Sequence, residues 1–127
     1  MALTKENAKK LLSYLEGYPQ VLKWLHWSAD RHSRHILTDE IDDGVLDFED
    51  ALAEVVMGKL GEKFQVGDLK TMLPESKELK GLLAELEKDV NDFKKSIGEE
   101  HGFGGICNVV DDFLSSVNKW QYLETII

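Results

Sequence analysis

Apolar residues recur every three or four positions along almost the whole chain, and only two prolines interrupt its 127 residues. A period near 3.6 is the mark of amphipathic helices. Four long helices are predicted. The first spans roughly residues 4 to 30, with Thr4 as N-cap and Leu11, Leu15, Leu22 and Leu25 at helical spacing. Gly17 and Pro19 fall inside it and predict a kink or a short break. The second spans roughly 34 to 60, buried through Ile41, Val45, Phe48, Leu52 and Val56 and stopped by Gly61. The third follows Pro74, with Leu79, Leu82, Leu86, Val90, Phe93 and Ile97 on one side. After the glycine-rich "GEEHGFGG", the fourth runs from about Ile106 to the end through Val110, Phe113, Val117 and Trp120.

Loop lengths order these helices. Short connections join helices 1–2 and 3–4 and make each pair antiparallel, whereas "GEKFQVGDLKTMLP" between helices 2 and 3 is long. Extended at ~3.3 Å per residue, it can run the length of a helix of ~25 residues. The expected class is therefore all-α: a ferritin-like four-helix bundle with a single long crossover between helices 2 and 3, forming one domain over residues 1–127. An up-down-up-down bundle with one slack loop is the alternative.

Charge narrows the partners. Twenty-four acids against 15 bases give a net charge of −9, and no lysine-rich tail is present, which disfavours nucleic acid. Such a surface is compatible with collecting cations. No apolar stretch approaches a membrane span and no charged-then-apolar leader opens the sequence. The single cysteine, Cys107, cannot form an internal disulfide. A cytoplasmic protein is expected.

Three of the four histidines fall within ten residues of "HWSADRHSRHILTDEIDDGVLDFEDALAE". With His35 as zero and about 100° per residue, Asp39 falls at about 40°, Asp50 at about 60° and Glu54 at about 100°. Asp43 joins them. Leu37, Ile41, Val45, Phe48, Leu52, Val55 and Val56 lie at about 200–300°. Any surface helix shows a polar face opposite an apolar one. The chemistry of the i, i+4 steps is more specific: His35 with Asp39, and Asp50 with Glu54, sit on neighbouring turns and can converge on an ion. Imidazole with carboxylates suits iron, manganese or zinc. The two pairs are about 15 residues, or ~22 Å, apart along the axis, so one chain cannot bring both to one ion. Two copies crossing antiparallel about a two-fold axis can, and do so twice. His26 would join from the end of helix 1.

His26-Trp27, His35-x3-Asp39 and Asp50-x3-Glu54 in "DALAEVV" resemble the ferroxidase signature of the Dps-like ferritins, or mini-ferritins. "KKSIGEEHG" and "DDFLSSVNKWQYLETI" are similar to that family's third-helix end and last helix. The resemblance implies a ferritin-like bundle that binds iron and oxidises Fe(II) with peroxide or oxygen, for iron detoxification or storage. It implies a site at a two-fold interface, with His26, His35 and Asp39 from one chain and Asp50 and Glu54 from its partner. A homodimer is the minimum assembly and a larger cage the maximum. The turn between Trp27 and His35 is about three residues shorter than in the family, and the crossover is short enough that the family's extra helix there is expected to be missing.

Two other readings stay open. An all-α pyrophosphohydrolase would use helix-borne carboxylates to hold magnesium at a nucleotide, with no need for the histidines. A non-catalytic bundle would serve as an interaction module. Among the remaining residues, Trp27 is either a companion to the metal site or a core aromatic, and His32 shares the polar face outside the family pattern. His101 reads as solvated and Cys107 as a small buried residue. Met57, Met72 and the other tryptophans read as packing.

Overall fold

The computed structural model describes residues 3–98 and 104–127, and within them every regular element is helical. There are four helices: α1 (Lys5–Trp27), α2 (His32–Leu60), α3 (Leu79–Ile97) and α4 (Gly104–Ile126). None is long and apolar enough to cross a membrane. α1 packs against α2 and α3, and α4 packs against the same two, so the four form a ring with α1 diagonal to α4.

Local signals set the start of α1 and the end of α2. Thr4 takes an extended conformation and its hydroxyl accepts from the Asn7 N–H at 3.0 Å, satisfying a first-turn donor of α1. Gly61, at φ 68°, closes α2 in the left-handed conformation and returns its N–H to the Met57 carbonyl. The expected interruption of α1 does not break it: the helix passes through Pro19 to Trp27. Proline removes one donor there, but Leu15, Tyr18, Val21 and Leu22 carry the buried face straight through.

Helix α3 starts later than its sequence suggests. Pro74 does not open it; residues 74–78 are non-helical, and the first helical residue is Leu79. The Glu85 carboxylate, nearly two turns into α3, accepts from the backbone N–H groups of both Glu75 and Ser76 at 2.9 Å. That holds the segment outside the helix.

The connection 61–78 lies on α1. Lys5 reaches the Lys63 carbonyl and the Asp68 carboxylate, both at 3.3 Å. Further along, Lys70 and Met72 donate their N–H groups to the Ser13 hydroxyl and carbonyl, at 3.3 and 3.1 Å. Gly17 permits this approach: a methyl group on it would collide with the Met72 carbonyl.

All four helices share one apolar core. Phe48 of α2 stacks on Phe113 of α4 with ring centroids 4.0 Å apart, and Phe113 meets Trp120 edge-on at 5.8 Å. The Trp120 ring fills the notch left by Gly44, and its indole N–H donates to Glu40 at 3.0 Å. On the opposite side, buried Tyr18 of α1 donates to Asp89 of α3 at 2.7 Å. Burial, then the Asp89 partner, pushes the Tyr18 hydroxyl far above its usual range, and burial raises Asp89. Apart from the Tyr18 hydroxyl, Thr38 is the one polar side chain among the fully buried described residues.

Candidate metal centre

The last turn of α1 carries His26, the first turn of α2 carries His35, and residues 28–31 bring them face to face. Their rings stack with centroids 3.6 Å apart at an interplanar angle of 26°. Each uses the same nitrogen on the other's backbone: His26 Nδ1 lies 3.0 Å from the His35 carbonyl, and His35 Nδ1 lies 3.2 Å from the His26 carbonyl. A carbonyl oxygen can only accept, so Nδ1 is the donor in both rings, and in the neutral form of each ring the lone pair lies on Nε2. Backbone acceptors on Nδ1 are the usual device for fixing a metal-binding imidazole.

Two α2 side chains close around His26. Thr38 donates to the His35 carbonyl at 2.9 Å while its oxygen lies 3.2 Å from His26 Nδ1. Asp39 Oδ1 is 3.3 Å from the same nitrogen. The sequence pairs Asp39 with His35 one turn earlier; in the structure its contact is across to His26, on the nitrogen that orients the ring.

Asp50 and Glu54 are exposed and lie further along the same continuous helix, so they do not meet the histidines within one chain. Among the described residues, no group of three or more His, Cys, Asp or Glu side chains is arranged to hold a metal ion. The polar arc of α2 also carries exposed apolar residues, Ile36 and Leu46.

His32 stacks loosely on His35, with centroids 6.2 Å apart. His101 lies outside the described residues. Trp27 is 71% exposed, which corrects the reading of it as a core aromatic: α1 ends there and the described residues leave most of the side chain uncovered. Trp24 and Met72 are also substantially exposed rather than packed, while Trp120 is buried. Met57 is half-buried, its sulfur accepting from the Phe64 N–H, and Cys107 lies half-buried against the core.

The sequence reading missed a second acidic seam. Glu49 of α2 lies against Glu16 of α1, and burial, the Glu16 charge and a hydrogen bond to it push the Glu49 carboxyl up to about 7. Asp42, two turns earlier, is also raised, first by burial and then by Asp43 and Asp39. Glu49 Oε2 and Asp42 Oδ1 are buried without a hydrogen-bond partner among the described residues. The signal was available: positions 42 and 49 are seven apart and flank the apolar arc instead of opposing it.

An all-helical bundle with a histidine clasp between its first two helices is thus the class of protein in hand. From residue 26 to residue 123 it matches the model of a family of unknown function, DUF5856, and the chain belongs to that family. No curated protein and no solved structure matches it.

Proposed function

We propose that this chain is a Dps-like ferritin that binds ferrous iron between two copies of itself and passes its electrons to peroxide or oxygen. The observation that carries the reading is the reciprocal clasp of His26 and His35, which leaves both Nε2 lone pairs as ligands on half-buried, fixed rings. A partner's Asp50 and Glu54 supply the carboxylates in this reading, with Asp39 shared between orienting His26 and binding iron. Nitrogen and carboxylate donors together suit iron, with zinc or manganese as substitutes.

Three features support the arrangement. The interior is apolar, so a metal site belongs on the outside of the bundle. Ile36 and Leu46 give the carboxylate-bearing arc of α2 the apolar surface a second copy would cover. The connection touches α1 near Lys5, then at Ser13 and Gly17, as expected of the single crossover of a ferritin-like bundle.

The test is an anaerobic ferrous titration of the metal-stripped protein, followed by peroxide, reading near-ultraviolet ferric absorbance against Asp50→Ala. Saturable binding with rapid oxidation, lost in the variant, is the expected outcome. Oxidation no faster than in buffer, with no saturable binding, sinks it. A second reading is a non-catalytic interaction module, whose contact surface would be the exposed apolar residues Ile36 and Leu46 on α2. That reading requires Asp50→Ala and Glu54→Ala to leave self-association unchanged and no metal to bind.

A further inference from the structure

At the end of the bundle where α1 finishes and α2 and α3 begin, a surface cavity of about 540 Å³ opens. Leu25, Leu79 and Ile127 give it an apolar wall. Both arginines of the chain, Arg31 and Arg34, line it together with Lys77 and Lys80. Asp30, Glu78 and Glu124 line it too, with Asp30 Oδ1 3.7 Å from the Arg34 guanidinium. Four positive side chains against three negative make this cavity a local reversal on a chain of net charge −9.

The backbone adds to that reversal. Arg31 and Glu78 are the N-cap residues of α2 and α3; neither side chain caps its helix, and neither first turn contains an acid. First-turn N–H groups lack intrahelical acceptors, and a helix start carries roughly half a positive charge. A base in that turn is electrostatically unfavourable. Here Arg34 and Lys80 occupy first turns of two helices beside one cavity. A bound anion would turn that cost into attraction.

We propose that this cavity binds a small organic phosphate, its head held by Arg31, Arg34 and Lys80 at the starts of α2 and α3 and its body on Leu25, Leu79 and Ile127. A doubly charged oxyanion suits the forked guanidinium donors and the helix starts together. The volume lies within the ordinary range for small-molecule sites. His26, His35, Asp39, Asp50 and Glu54 do not line the cavity, although Thr38, which contacts the two histidines, does; the phosphate titration needs no iron and reads the cavity by itself.

The experiment is an amide-shift titration of the full ¹⁵N-labelled chain at constant ionic strength. Inorganic phosphate and phenyl phosphate are the probes, with sulfate and benzoate as comparisons. Saturable shifts confined to the amides of residues 31–34 and 77–80, with phenyl phosphate the tightest of the four, are expected. Arg31→Gln combined with Arg34→Gln should weaken binding at least about tenfold, whereas Lys119→Gln on α4 should not. Circular dichroism checks folding, and Lys80→Gln alone gives the same reading should the double variant unfold. No saturable shift, equal response to sulfate or benzoate, or unchanged binding in the arginine and lysine variants overturns the proposal.

Discussion

His26 and His35 hold each other by their backbones: the Nδ1 of each ring donates to the carbonyl of the other, at 3.0 and 3.2 Å, while the rings stack. The end of α1 and the start of α2 are thereby tied at one point, and both free nitrogens are of the same kind. If the carboxylate ligands come from a second copy, His35→Ala and Asp50→Ala damage opposite halves of each site. Each variant alone should fail to oxidise ferrous iron. Co-refolded in equal amounts, they should recover roughly a quarter of the wild-type rate, because half the dimers then contain one intact site of two. No recovery in mixtures shown to contain the mixed dimer would place the carboxylates' role elsewhere.

Gly44 and Trp120 form a knob and notch between α2 and α4. Gly44→Ala puts a methyl group into the indole, and overpacking of this kind costs about 1–3 kcal/mol. Urea unfolding should show a lower midpoint with an unchanged slope. Trp120→Phe in the same chain should return part of the loss by making room, though the Glu40 hydrogen bond is gone.

Gly17 faces the Met72 carbonyl where the connection crosses α1. Gly17→Ala favours the isolated helix by ~1 kcal/mol but lifts the connection off it. Hydrogen exchange at the Lys70 and Met72 amides, which bond to Ser13, should accelerate more than exchange in the core of α3.

The Glu49 carboxyl is raised from 4.5 to about 7 when the chain folds. A raised carboxyl binds its proton more tightly in the folded state, so the stabilisation is complete below 4.5 and is lost as pH rises through about 7. Glu49 is only half buried and partly screened, so the swing should be ~1 kcal/mol rather than the full conversion of the shift. Stability measured from pH 4.5 to 8 should flatten in Glu49→Gln. An unchanged slope in that variant would assign the dependence to other groups.

The bundle was legible because burial follows period. Ile41, Val45, Phe48, Leu52 and Val56 face the core at the spacing that named them. The start of α3 was not, since a side chain ten residues downstream of Glu75 decides where that backbone goes. Pro19 signalled an interruption of α1, but the packing of its neighbours outweighed one missing donor. At the candidate site, residue types and helix faces could be read along α2, whereas the contact of Asp39 with His26 depends on the path of residues 28–31. The Glu16–Glu49 pairing escaped for the same reason: periodicity describes one helix at a time, and that contact needs two.

The unbroken run of α2 from His32 to Leu60 also makes it a ruler. Any substitution on its outer arc changes one group, but one residue inserted between Asp39 and Asp50 would turn Asp50 and Glu54 by about 100° and move them ~1.5 Å along the axis. The carboxylates would leave the arc they share with His35 while the core-facing half of the helix fell out of register with α1 and α4. Between those two positions the outer arc can vary in composition while the core face cannot, and the helix can hardly vary at all in length.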